Sequence, residues 1–491
     1  MIWAIGIYLA FLVFVSVRKG RDVKTQEDFM VAGRGVTATF LVGTLVCTWI
    51  GSGSLFGGAG RAFRNGYSAL WMSAGAWIGL AIVYWLAPRV RKIAQFTVPD
   101  ILETRYNAAA RVFGTIAIII AYLTIAGYQF IGGGRLLNIL TGLDPAKGQI
   151  IIAVLVVLYT IVAGMASIVA LDLFNGILIT VGVIVAVPFA LSAAGGWEGL
   201  TTTLPETHFS LFGTLGAASA IGLFLPTFLL LLGESSIYQK FMSAKDGATA
   251  RRAVIFMILG VILIETLLDS VAIFGAGIYW NDPAFQAEGG GISSAASETV
   301  ILTMGAHALP PIVGALLLIG GAAIIFSTAN TFLMVPSTNL ARDIYQRFVN
   351  PEASEMRVIT FQRIMIVVLA GVALVITTQF SSILAMALYA YTMVGAAVTP
   401  ALLAAFLWKR ATPIAGMASV AVGIASTIVF ALWVNAGATF DWGFIEINQD
   451  TAYDYIIYPA FIASVLTLII VSYLGKPPSE DKWKPFMADA E

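Results

Sequence analysis

Cysteine, histidine and charge are the scarce commodities of this 491-residue chain. The single cysteine, Cys47, rules out an intramolecular disulfide framework and a cysteine zinc site. The two histidines, His208 and His307, both fall in expected external loops, which argues against a histidine metal cluster or histidine-dependent catalysis. Charged residues make up 11% of the chain, against about 25% in a typical soluble domain. The formal net charge is zero, so no basic surface points to nucleic acid. An enzyme reading therefore has little to stand on.

Apolar sequence is abundant instead. The chain is 59% hydrophobic with a mean hydropathy of +0.90. Stretches long enough to cross a bilayer are read at 1–17, 36–60, 67–88, 112–134, 148–163, 166–191, 215–237, 253–279, 311–336, 361–379, 382–408, 413–434 and 456–474. The expected fold class is thus all-α integral membrane, with about 13 transmembrane helices. The first stretch lacks a basic n-region and a small-residue cleavage site, so it reads as a span rather than a signal peptide. With the N-terminus outside, 23 of the 27 Lys and Arg residues fall in internal segments, leaving only Arg61, Arg64, Arg135 and Lys147 outside. That bias predicts a multi-pass protein of a bacterial-type plasma membrane with a cytoplasmic C-terminus.

The second span is interrupted by Ile50-Gly51-Ser52-Gly53-Ser54. Irregular backbone at membrane depth is tolerated only where it lines a cavity or is buried in protein. A second interruption, Gly233-Glu234-Ser235-Ser236 preceded by Pro226, lies in span 215–237. Each break opens a set of five spans, 36–191 and 215–408, and an odd number inverts the second set relative to the first. That is the layout of an inverted-repeat transporter. The expected divisions are 1–35, an N-terminal helix and cytoplasmic loop; 36–191, the first repeat; 192–214, an external loop; 215–408, the second repeat; 409–474, two further helices; and 475–491, a cytoplasmic tail. Gly and Pro are also common in membrane helices without any break.

Several motifs carry a family resemblance along essentially the whole chain. They are Asp28-Phe29-Met30-Val31-Ala32-Gly33-Arg34, Thr97-Val98-Pro99-Asp100 with Arg105-Tyr106, Ala163-Gly164-Met165 with Asp172, Tyr238-Gln239-Lys240-Phe241, and Ser327-Thr328 followed by Asp343-Ile344-Tyr345. Together they make the chain resemble the sodium/solute symporter family, whose leucine-transporter-like fold has two inverted five-helix repeats after one extra helix. Thr48-Trp49-Ile50-Gly51-Ser52-Gly53 and Tyr67 locally resemble the high-affinity choline transporter branch. The resemblance implies sodium-coupled symport of a small polar organic solute by alternating access, with Na+ as the coupling ion.

Sodium wants oxygen ligands. The resemblance places them at the carbonyls of Cys47, Ile50 and Ile324 and the hydroxyls of Ser327 and Thr328. The same hydroxyls could instead bond back to carbonyls one turn earlier. Asp172, in a span, needs a partner or water. In the family its position serves a second sodium site or an ion exit path, and here Ser327, Asn330 and Thr331 face it at spacings of three and four, with Asn175 a turn away. A structural hydrogen bond between helices is the plainer alternative. Asn330 stands where the family has a hydroxyl.

The solute pocket is expected between the breaks. Trp49, Ser52, Gly53 and Ser54 form one side, Glu234 and Ser235 the other, and Tyr128 and Gln129 contribute from a third span. Choline recognition needs an aromatic cage. Trp49 matches one cage position, yet Glu234 replaces an aromatic at another, which argues against choline. Glu234 could pair with an amino group, bind a proton, hydrogen-bond a polar solute, or sit in a cytoplasmic gate; Trp49 could be packing. Glu265 and Asp269, one turn apart, have no cation nearby in sequence. Proton coupling is the nearest rival to sodium. A channel would need a filter or pore ring, and a sensor would need a signalling domain; the sequence displays neither.

Overall fold

A computed structural model describes residues 2–20, 24–93, 96–213, 215–380, 382–443, 445–449 and 451–487. Arg21, used in the orientation argument, and residues 488–491 of the expected tail lie outside them. Among the described residues, eleven helices are long and apolar enough to cross a membrane. Two shorter apolar helices, Ile5–Arg18 and Ala38–Trp49, fall below that length, so the expected figure of 13 is not reached by length alone.

The principal helices are α1 (Ile2–Gly20), α2 (Ala38–Trp49), α3 (Ala59–Asn65), α4 (Leu70–Ile93), α5 (Ala108–Thr141), α6 (Pro145–Ala193), α7 (Ala217–Gly233), α8 (Ser235–Ser243), α9 (Gly247–Tyr279), α10 (Pro311–Asn339), α11 (Glu355–Thr377), α12 (Ile383–Ala397), α13 (Thr399–Leu407), α14 (Pro413–Asn435) and α15 (Ile457–Leu474). The spans expected at 148–163 and 166–191 are two separate apolar helical segments, Pro145–Val162 and Gly164–Ala193, which the label α6 takes together and which meet at a sharp kink at Gly164. Gly164 has φ +57°, and a Cβ there would stand 2.6 Å from the carbonyl oxygen of Phe29. Only glycine accepts both that backbone geometry and that approach.

Helix α10 forms the axis of the bundle and packs on α5 and α6. Helix α7 lies against α4 and α12, and α2 lies against α6. Leu and Ile faces such as Ile177, Val181, Val367 and Ile470 stay exposed on the outside, as a lipid-facing surface requires. The interior is different: Ser327, Thr328, Asn330, Thr331, Asp172, Glu234 and Lys240 are all buried. Buried polar groups demand partners in the protein, and these partners define the centre of the molecule.

Both interruptions exist. Helix α2 ends at Trp49, Ile50 is extended at φ −74° and ψ 98°, and the chain resumes through a wide π-turn at Gly53–Gly58 into α3. Helix α7 ends at Gly233, and Glu234 takes φ −66° and ψ 98° before α8 starts. The two breaks use nearly the same backbone conformation at a single extended residue.

Candidate functional site

The first break frees the carbonyls of its last turn. The Thr328 hydroxyl, on unbroken α10, lies 3.3 Å from the Cys47 carbonyl oxygen and 3.2 Å from that of Ile50. Three oxygens thus converge at the end of α2. Ile324, one turn before Thr328 on α10, is buried.

Ser327 points elsewhere. Its hydroxyl donates to Asp172 at 2.5 Å, and the Thr44 hydroxyl donates to the other carboxylate oxygen at 2.6 Å. The Cys47 thiol reaches the Asp172 backbone carbonyl at 3.0 Å. The Lys240 ammonium lies 3.6 Å from Asp172 and donates to the Thr44 carbonyl at 3.0 Å. Lys240, counted among the cations of the internal segments, has a fully buried side chain. A long apolar stem allowed α8 to carry the ammonium inward, and a buried carboxylate offsets the cost of desolvating it. Asn330 Oδ1 and the Thr331 hydroxyl are buried with no hydrogen-bond partner among the described residues. Asn175 is taken by Tyr8, whose hydroxyl donates to it at 2.9 Å.

Between the breaks lie two small adjoining cavities of about 20 Å³ each. Trp49 and Tyr391 line both. One also takes in Ser54, Thr227, Glu265 and Asp269, the other Tyr128, Glu234 and Thr328. A cavity of that size admits about one water, so this conformation holds the centre nearly closed. Gly53 brings the backbone up to the tyrosines: a Cβ there would stand 2.6 Å from the Tyr391 hydroxyl. Gln129 accepts the Ser52 amide at 3.0 Å. Ser52 and Ser235 are buried but line neither cavity. Glu265, Asp269 and Tyr391, outside the expected set, line the cavities.

Glu234 caps α8. Its carboxylate accepts from the Ser236 hydroxyl at 2.8 Å, the Ser236 amide at 3.4 Å and the Tyr122 hydroxyl, while Oε2 has no protein partner. An acidic residue at a helix N-terminus is favoured by the aligned peptide dipoles. Glu265 accepts from the indole N–H groups of Trp49 and Trp77, each at 3.0 Å. Tyr391 carried only a weak signal, a polar residue in an apolar run. Trp77 carried none, because tryptophan is ordinary in a membrane helix.

Two motifs distant in sequence meet below the site. Asp343 accepts from the Thr97 hydroxyl and from Arg111 Nε, each at 2.9 Å. Arg111 also pairs with Asp100 and Glu103. On the other face, Arg135 meets Glu298 at 2.8 Å, and Glu298 accepts the first amides of α12, from Ile383 and Leu384. Ion pairs therefore close the bundle above and below the central cavities.

Broken helices around a nearly closed polar centre, in a multi-pass α-helical bundle, define a secondary active transporter. The sequence pattern of the Sodium:solute symporter family matches residues 29–423. A sodium/proline symporter of Staphylococcus aureus is 27% identical, with 96% of this chain and 92% of that protein covered. The osmoregulated proline transporter of Bacillus subtilis (strain 168) is 25% identical, covering 99% and 97%. Among solved structures, a Na+-coupled sialic acid symporter in a substrate-bound outward-open state has a TM-score of 0.79 at 18% identity, covering 97% and 98%. A nucleobase-cation-symport-1 family transporter in a closed conformation gives 0.60 at 14% identity, covering 94% and 99%. The chain belongs to the Sodium:solute symporter family and is a multi-pass membrane protein that couples sodium to solute symport. These relatives carry proline, sialic acid or nucleobase names, none of them choline.

Proposed function

We propose that sodium binds at the end of α2, on the carbonyl oxygens of Cys47, Ile50 and Ile324 and the Thr328 hydroxyl, with a small polar organic solute bound beside it between the breaks. The observation that carries this is the approach of Thr328 to both the Cys47 and Ile50 carbonyls. An ion there would tie the broken helix to unbroken α10, so its arrival and departure would change how the repeats sit on one another. Asp172, Ser327, Asn330 and Thr331 form the candidate second ion position or exit path. Trp49, Gly53, Ser54, Tyr128, Gln129 and Glu234 bear on the solute, directly or through the break.

The matching backbone at Ile50 and Glu234 supports two inverted repeats over 36–191 and 215–408, flanked by the segments 1–35, 192–214, 409–474 and 475–491. The Lys and Arg distribution supports an external N-terminus and a cytoplasmic C-terminus in a plasma membrane. The role is transport rather than catalysis. The names of the relatives make proline the first solute to try. Uptake of labelled solutes into proteoliposomes, under a sodium gradient or a proton gradient alone, is the test. Uptake should need sodium; full activity on protons alone would overturn the sodium assignment.

A further inference from the structure

Three carboxylates surround the two central cavities: Glu234, Glu265 and Asp269, at 1%, 4% and 4% exposure. Among the described residues, no Lys, Arg or His lines either cavity. Buried carboxylates are costly without a cation or hydrogen-bond donors. Glu265 has its donors in Trp49, Trp77 and Ser54. Asp269 has neither a hydrogen bond nor an ion pair among the described residues. It lies by the π-turn Gly53–Gly58, where a Cβ on Gly58 would lie 3.7 Å from its Oδ1. Glu234 Oε2 is likewise unpartnered.

The positive ends of the broken helices show the reverse pattern. A half-helix N-terminus facing a transport site is a ready seat for a solute carboxylate. Here the chain fills both seats itself. The Glu234 side chain accepts the Ser236 amide at the start of α8, and the Gln129 side chain accepts the Ser52 amide at the first break. A side-chain oxygen of the chain itself thus takes an amide at each of these helix starts, while carboxylates without a cationic partner line the cavities.

We infer that the solute is a small organic cation with an ammonium group and no carboxylate, seated with its nitrogen at Asp269 and Glu265 and its carbon skeleton against Trp49 and Tyr391. Aromatic faces add attraction for such a group. This rests on the cavities between the breaks being the solute site, and it departs from the zwitterion that the relatives' names would suggest.

The test is titration calorimetry on the full chain in lipid nanodiscs, in sodium chloride and in potassium chloride. The probes are ethanolamine, putrescine and choline as cations, with proline and glycine betaine as zwitterions, each at millimolar concentration. At least one cation should bind in sodium chloride, and neither zwitterion should. Asp269→Asn should weaken that cation tenfold or more, and Asp269→Glu should retain it. Binding of proline or glycine betaine as tightly as any cation, binding by no cation, or an unchanged cation affinity in Asp269→Asn would each overturn the inference. If Asp269→Asn fails to fold, the probe panel on the unaltered chain decides alone. Cation binding of equal strength in potassium chloride would sink the sodium coupling of the site and leave the cation assignment standing.

Discussion

Lys240 and Asp172 form an ion pair with 3.6 Å between Nζ and the carboxylate, both side chains essentially without solvent contact. The pair fastens the second broken helix to α6. Removing one partner strands the other as a buried charge, at a cost of roughly 3–5 kcal/mol. Lys240→Met should therefore lower the thermal unfolding temperature sharply. Lys240→Met with Asp172→Asn should recover much of the loss, because the stranded charge goes too. A double mutant no more stable than Lys240→Met would show the two residues to be uncoupled.

Thr328 and Ser327 are neighbours in sequence with different tasks. The Thr328 hydroxyl reaches the break carbonyls, and the Ser327 hydroxyl serves Asp172. Thr328→Ala should raise the sodium concentration for half-maximal uptake about tenfold, equivalent to about 1.4 kcal/mol. Ser327→Ala should shift it less and lower stability instead. Equal sodium shifts in both variants would mean that both hydroxyls serve one ion.

Gly53 is where the first break comes closest to the tyrosines. In Gly53→Ala the new methyl would stand 2.6 Å from the Tyr391 hydroxyl and 3.4 Å from that of Tyr128. Interiors do not absorb such an overlap without shifting neighbours. Solute affinity should fall by about an order of magnitude, and adding Tyr391→Phe should restore part of it. Unchanged affinity in Gly53→Ala alone would mean that Tyr391 moves aside at no cost.

His208 gives a pH dependence outside the spans. It is buried, with its Nε2 3.2 Å from the Phe63 carbonyl and its ring edge-on to Trp280. Burial pushes its pKa below the usual 6.5, against a smaller upward pull from that hydrogen bond. The folded state thus prefers neutral imidazole. Its contribution is complete above 6.5 and is lost as pH falls through the depressed folded value. Amide hydrogen exchange across 206–210 should accelerate, relative to a surface control, between about pH 7.5 and about pH 5.5. His208→Gln should remove the difference; an identical pH response in that variant would assign it to another group.

The breaks were legible because Gly51-Ser52-Gly53 and Gly233-Glu234-Ser235 interrupt otherwise continuous apolar runs, and periodicity reports interruption directly. The spans were legible for the same reason, and the division read between 163 and 166 falls at the Gly164 kink. Side-chain direction was not legible. Ser52 and Ser235 sit at the breaks yet line neither cavity, because a break rotates each residue by an amount only the dihedrals record. Lys240 read as a loop cation because an ammonium beside an apolar segment looks the same whether its stem runs outward or inward. Asp172, its partner, is 68 positions away in the chain, and no local pattern joins them.

The oxygens at the end of α2 have an electrical consequence. The Thr328 hydroxyl and the Cys47 and Ile50 carbonyls are neutral, and the Asp172 carboxylate is already matched by Lys240. A sodium ion held at this proposed site would meet only neutral oxygens there and would carry its charge across. Each elementary charge carried across the bilayer is worth about 2.3 kcal/mol per 100 mV. The resting potential of the membrane, negative inside, then does work on every turnover even when sodium is equal on both sides.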